Sequence, residues 1–413
     1  MQVVYERCAG LDVHKKTVVA CRVGPKAEGG WQEETRTFGT MTGDLLSLSD
    51  WLKAGGVSHV AMESTGVYWK PVHNILEGEF EVLVVNARHI KFVPGRKTDV
   101  KDAQWIAQLL QHGLLKGSFI PEAPQRELRE TVRYRTHLVQ ERSREVNRVH
   151  KVLQDANLKL SSVASDILGV SGREMLAALI AGQDDPAVLA QLAKARLRQK
   201  ITELEAALTG HLKDSHRRLL SWHLRHIDEL NDLLAEVEAE IDRQLVPFDE
   251  ADLLARLDSI PGVDRKTAQV IIAELGTDMR RFPTARHAAS WAGLTPGKNE
   301  SAGRNYSAKT NKANRYLRAA LVEAAHATQH TQTYLAAQYR RLSARRGRKR
   351  AAVAVAHSIL IIAYHIIQRG TAYVDLGPTY FDQRKQATVE RYLVGRLQAL
   401  GYQVSLEPLS GAA

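Results

Sequence analysis

The spacing of apolar residues changes twice along this chain. Up to about residue 115 they come in short runs. Val3 to Asp12 is strand-like, Thr17 to Val23 follows after a turn through His14 and Lys15, and Thr35 to Phe38 supplies a third short strand. Leu45 to Leu52 has helical spacing and is closed by Gly55-Gly56. Val57 to Met62 reads as a buried strand and Glu81 to Val85 as another. A helix around Tyr68 to Leu76 separates them, and a last helix runs from about Asp99 to Leu115. Three strands followed by strands alternating with helices predict a mixed sheet with helices on its faces.

From Pro121 to about Phe248 the texture becomes long, charged and Leu-spaced. Leu220, Leu224, Ile227, Leu230, Leu234, Val237, Ile241 and Leu245 recur at threes and fours, the seam of one helix packed on another. Gly169 to Pro186 breaks the pattern and is expected to contain the reversal of a long helical hairpin or coiled coil, a spacer or dimerisation arm. A compact helical region follows from about Ala251 to Gly370, and a short mixed tail ends the chain. The expected fold class is therefore α/β plus mainly-α, with boundaries at 1–116, 117–250, 251–370 and 371–413.

Charge narrows the partner. Among 413 residues, 57 Lys and Arg stand against 46 Asp and Glu, a formal net charge of +11 that favours a polyanion such as DNA. Cys8 and Cys21 are too few for a zinc framework or a disulfide scaffold. The N-terminus carries no long apolar run of the signal-peptide kind. The most apolar stretch, Ala351 to Ile367, is broken by His357 and His365 and starts beside a basic run, so it reads as a buried helix. A cytoplasmic protein with no membrane partner is expected.

Four carboxylates suggest chemistry. Asp12 ends the first strand, Glu63 ends a later apolar one, and Asp99 and Asp102 fall at i and i+3 on one face of a helix start. Carboxylates converging on a sheet rim repel one another unless cations intervene, and oxygen-only ligands suit Mg²⁺ or Mn²⁺. Two such ions serve phosphodiester chemistry by assisting the attacking and leaving oxygens. Each acid also has a structural reading. Asp99 and Asp102 complement a helix macrodipole, and Asp12 caps a turn. Glu63, between an apolar run and Ser64-Thr65-Gly66, is the hardest to explain that way.

The runs Gly10-Leu11-Asp12-Val13-His14-Lys15, Met62-Glu63-Ser64-Thr65-Gly66 and Lys97-Thr98-Asp99-Val100-Lys101-Asp102-Ala103 resemble the Asp-Glu-Asp-Asp pattern of the Piv/MooV-type insertion-sequence recombinases. The resemblance implies an RNase H-like domain similar to the RuvC resolvases, with Asp12, Glu63, Asp99 and Asp102 as metal ligands. It spans about residues 5–115 and 255–370.

In the second of these regions, Leu257 to Val263 followed by Lys266-Thr267-Ala268 resembles a helix-hairpin-helix, a device that offers backbone N–H groups to phosphate. Asp264 stands where that motif usually has a second glycine, so an N-cap or a packing role competes with DNA contact. Trp291-Ala292-Gly293-Leu294-Thr295-Pro296 leading into Glu300-Ser301-Ala302-Gly303 is similar to the family's C-terminal transposase domain. There the resemblance implies that Ser301 is the nucleophile joined to cleaved DNA. Ala302 departs from the glycine common after that serine, leaving Ser307 and Tyr306 as weaker candidates; read without the family, the segment is an ordinary turn.

Phosphate contacts are expected from Arg304, Lys309, Lys312, Arg315 and Arg318. The run Arg340 to Arg350, with seven Lys or Arg, adds Arg345, Arg346, Arg348, Lys349 and Arg350. The reading is a transposase that cuts and rejoins DNA, with carboxylates and serine meeting in a composite site between protomers of a homodimer or homotetramer. The resemblance alone implies a structured guide RNA encoded by the element. A metal-dependent junction resolvase that leaves Ser301 idle, and a non-catalytic nucleic-acid-binding protein, remain open alternatives.

Overall fold

The computed structural model describes residues 2–86, 102–297, 300–301, 304–305, 310, 313–384 and 386–407. They form two compact units, Met1–Pro121 and Glu122–Ala413.

The first unit is built on one five-stranded mixed sheet. Its strands are β1 (Cys8–Val13), β2 (Thr17–Pro25), β3 (Trp31–Gly39), β4 (His59–Glu63) and β5 (Glu81–Val85), in the spatial order β3-β2-β1-β4-β5. The first three pair antiparallel as a meander, whereas β4 joins β1, and β5 joins β4, in parallel. The central position of β1 explains its near-continuous burial.

Alternation along β1 sorts the two faces. Ala9, Leu11 and Val13 join Val60 and Met62 in a core with Leu45, Leu48 and Leu52 of α1 (Thr42–Ala54) and with Val72 and Leu76 of α2 (Trp69–Leu76). The opposite face carries Cys8 and Ala61 against Ala103, Ile106, Ala107 and Leu110 of α3 (Asp102–Gln111).

The expected elements are all present, with shifted edges: α3 ends at Gln111 rather than Leu115, and β4 begins at His59 rather than Val57. β1 begins at Cys8 rather than Val3, because the N–H groups of Val4 and Tyr5 are spent on the Gln111 carbonyl at the end of α3. β3 is longer than its apolar content suggested, because its backbone pairs with the whole of β2. The start expected for the last helix at Asp99 lies outside the described residues.

In the second unit α4 (Ala123–Asp155) and a later helix of similar length form a long antiparallel hairpin. Its polar ties run in opposite senses: Arg142 to Asn231, His223 to Glu145, and His216 to Asp155. The reversal is larger than Gly169 to Pro186. Residues 156–213 form a cap of short helices, including α5 (Val170–Ile180), whose core joins Leu153, Met175, Leu176 and Leu204 to Leu220 and Leu224. The return helix α6 (Asp214–Leu245) buries Leu220, Leu224, Ile227, Leu230, Val237, Ile241 and Leu245, and Leu234 is half-buried.

Beyond the hairpin come α7 (Leu253–Asp258), α8 (Arg265–Leu275), α9 (Ala285–Trp291), a two-stranded ribbon of β6 (Glu300–Ser301) and β7 (Arg304–Asn305), α10 (Arg315–Ala327), α11 (Tyr334–Arg346) and α12 (Arg348–Arg369). α12 is, among the described residues, the one helix long and apolar enough to cross a membrane. Ala352, Val355, Ala356, Ile359, Leu360 and Ala363 are buried within the protein, as expected of a core helix.

Candidate active site

Parallel pairing places Leu11 of β1 opposite Met62 of β4, so the next residues, Asp12 and Glu63, end their strands at matching positions. Period-two alternation puts both on the face that carries Cys8 and Ala61, the α3 face. The Cys8 thiol meets the Ala107 carbonyl at 3.6 Å, and Gly10 lies beneath Ala103, Ile106 and Ala107. α3 therefore runs antiparallel to β1 and delivers its first residue, Asp102, to the end of the strand that holds Asp12. Gly10 makes this approach possible: a Cβ there would lie 2.3 Å from both the Ala103 oxygen and the Ala107 nitrogen.

Three of the four expected acids thus share one edge and one face of the sheet, and Asp99 lies outside the described residues. The Asp12 side chain is 14% exposed, and its Oδ2 lies 3.1 Å from Nε2 of the far more exposed His14. Glu63 and Asp102 are half-buried. Among the described residues no three His, Cys, Asp or Glu side chains close into a complete metal-ligand group. The expected donors are all carboxylate oxygens, a chemistry that fits a hard divalent cation better than a soft one.

Asn314, which follows the serine segment, joins a buried polar cluster that the sequence reading missed. Glu274 of α8 has no solvent exposure. It pairs with Arg133 through two hydrogen bonds of 2.7 and 2.8 Å and with Arg129 at 3.2 Å, both from α4. Its Oε2 also accepts from Asn314 Nδ2 at 2.6 Å. Asn314 meanwhile caps α10, its Oδ1 accepting from Tyr316 N and Leu317 N. One signal was available: Glu274 closes the apolar run Val270 to Ala273, where a lone acid requires a buried partner, and Arg129 and Arg133 stand one helical turn apart.

Asn314 and Pro296 bound the serine segment. The Asn314 N–H reaches the Trp291 carbonyl at 3.4 Å, and Pro296 bridges Thr310 in antiparallel register. Between them Ser301 pairs in register with Arg304. Lys309, Lys312, Ser307 and Tyr306 lie outside the described residues.

At the hairpin after α7, Asp264 caps α8, its Oδ1 accepting from Thr267 N at 2.8 Å. Burial works against its ionised form, but bonds from the Thr267 hydroxyl and N–H outweigh this and hold its carboxyl below the usual range. Gly262, at φ +84°, lies against α10, where a Cβ would come within 2.3 Å of the Ala324 oxygen. Its conformation serves packing inside the protein.

The basic run straddles the break between α11 and α12 at Gly347, with Arg340, Arg341, Arg345, Arg346, Arg348, Lys349 and Arg350 all exposed. Arg315 opens α10 and bonds the Tyr316 hydroxyl at 2.7 Å.

Comparison with known proteins accords with this geometry. Residues 9–158, which include all four acids, match the DEDD-type IS110 profile described as Transposase, and residues 254–340 match the profile described as Transposase IS116/IS110/IS902 family. The chain belongs to the IS110 family of DEDD transposases. It is also 23% identical over 374 residues to the transposase for insertion sequence element IS1111A of Coxiella burnetii (strain RSA 493 / Nine Mile phase I), covering 88% of this chain and 90% of that one. Membership makes the chain a DNA transposase, an enzyme of DNA recombination that binds DNA, and it suggests dependence on a divalent metal. The non-catalytic binding protein is thereby set aside.

Proposed function

We propose that this IS110-family transposase cuts and rejoins DNA strands at the ends of an insertion sequence by forming a covalent bond between Ser301 and DNA. The observation that carries the reading is the shared edge of Asp12, Glu63 and Asp102, within a segment matching the DEDD profile. Asp12, Glu63, Asp99 and Asp102 hold Mg²⁺ or Mn²⁺, which supplies Lewis-acid stabilisation of phosphate oxygens when bound. The meander of β1 to β3 continued by parallel β4 and β5 supports an RNase H-like, RuvC-like fold for this unit.

The serine hydroxyl attacks phosphorus, a Ser–O–P bond forms as a strand P–O bond breaks, and the serine proton leaves with the departing DNA oxygen. An incoming strand hydroxyl reverses the step. The phosphodiester energy is kept in the covalent bond, so rejoining needs no ATP. Arg304, the register partner of Ser301, brings positive charge to the segment where negative charge develops. Exposed Arg345, Arg346, Arg348, Lys349 and Arg350, with Lys309, Lys312 and Arg315, hold nucleic-acid phosphates. A structured guide RNA directs target choice, and the long hairpin arm supports work as a homodimer or homotetramer.

The test is adduct trapping. Cleavage of an element-end substrate should leave a denaturation-resistant protein–DNA species mapped to the peptide containing Ser301. Ser301→Ala should abolish adduct and recombination, whereas Ser307→Ala should not. Cleavage with no adduct in any variant would replace this reading with a water-using resolvase.

A further inference from the structure

The tail beyond α12 is not idle chain. Asp375 ties it back to the start of α11: its carboxylate accepts from the Tyr334 N–H at 3.2 and 3.3 Å, from the Tyr373 hydroxyl at 2.8 Å and from the Gly377 N–H at 2.7 Å. The short helix Tyr380–Gln383 then lays its rings on Tyr334. Phe381 stacks on Tyr334 with centroids 5.1 Å apart and planes 20° apart, while Tyr380 meets the same ring edge-on at 5.1 Å. The Arg341 guanidinium lies 5.2 Å from the centre of Phe381. The result is a graded stack of tyrosine, phenylalanine and arginine.

Beside the stack is an open cavity of about 390 Å³ lined by Gln338, Arg341, Leu342, Arg345, Phe381 and Arg384. That is within the roughly 300–1,000 Å³ range of small-ligand sites. Three of its six lining residues are arginines and none is acidic. Arg341 lies against an aromatic ring, and among the described residues no carboxylate pairs with it, so its donors face a guest.

We infer that this cavity binds an unpaired nucleotide of a single nucleic-acid strand, its base against the Arg341–Phe381 stack and its phosphate on Arg345 and Arg384. Flat arginine and aromatic surfaces take a splayed base of any sequence. Arginine forks match phosphate oxygens, and the absence of lining carboxylates removes the usual repulsion. A base paired within a duplex cannot offer its face in this way. The inference builds on the DNA-handling role proposed above and adds to it a strand-selective site on the tail.

Binding of the full chain to labelled single-stranded DNA, single-stranded RNA and duplex DNA of one length, with chelator present, tests it. Phe381→Leu and Arg341→Ala should each weaken at least one single-stranded ligand by about tenfold while duplex affinity changes by less than about twofold. The strand that loses affinity, DNA or RNA, identifies the source of the nucleotide. Arg384→Gln, at an exposed side chain that bears on no core, should do the same and guards against misfolding of the other two. Arg346→Gln, in the same basic run but outside the cavity, should weaken single and double strands alike. Equal losses on single and double strands in the cavity variants, or no single-strand loss, would overturn the inference. Because chelator stops cleavage, the result is independent of whether Ser301 forms an adduct.

Discussion

Asn314 donates a 2.6 Å hydrogen bond to Glu274 while its own oxygen caps α10. The residue that starts this helix is thereby tied to a carboxylate with no solvent exposure, which two arginines of α4 also hold. Burial draws Arg129 down to about 10, and Glu274 pulls it back up. Removing one partner of such a cluster strands the others. Glu274→Ala should cost about 3–5 kcal/mol in urea unfolding. Asn314→Ala should cost about 1–2 kcal/mol through the missing cap and bond. The double variant should cost less than the sum, and additive losses would show that the two residues are not coupled.

Chemistry at the carboxylate edge should depend on charge rather than shape. Asp12→Asn and Asp102→Asn keep the side-chain volume and remove an anionic donor. Strand cleavage in Mg²⁺ or Mn²⁺ should disappear while DNA affinity changes little, and a chelator should have the same effect on the unaltered chain. Cleavage that persists in chelator would contradict the assignment.

Gly10→Ala probes the same edge from beneath. The added methyl collides with the backbone of α3, not with a flexible side chain, so α3 must rise from the sheet. Unfolding should become easier by about 1–3 kcal/mol. Mn²⁺ affinity, read by titration below the unfolding temperature, should fall as well, because α3 carries Asp102.

Replacing three arginines among Arg345, Arg346, Arg348 and Arg350 should weaken duplex binding for all sequences alike. The slope of log K against log salt should flatten by about 0.9 for each phosphate that is no longer neutralised. An unchanged slope would mark this cluster as solvated surface.

Both thiols are sealed between sheet and α3. Burial pushes Cys8 up to about 12, with Cys21 adding to the rise, and burial also raises Cys21. Their raised values favour the native state fully below the ordinary thiol value of 9.0. That contribution fades as pH climbs from there toward about 12. The folded chain should resist iodoacetamide at pH 8, and both cysteines should react in urea; prompt native alkylation would contradict the packing.

Local periodicity was enough to read the elements of the first unit and the seam of α6, because alternation and three-four spacing are properties of neighbouring residues. The acidic motifs and the basic run around Gly347 were also visible in the chain, since charge and motif order survive without coordinates. Register was not. That Asp12 and Glu63 end neighbouring strands at matching positions, and that α3 descends on Gly10 rather than elsewhere, follows from parallel pairing and close packing between residues far apart in sequence. The Glu274 cluster and the fold-back of the tail onto Tyr334 have the same origin. A buried carboxylate and a ring stack exist only once distant segments exclude water together, and a one-dimensional pattern does not encode which segments those are.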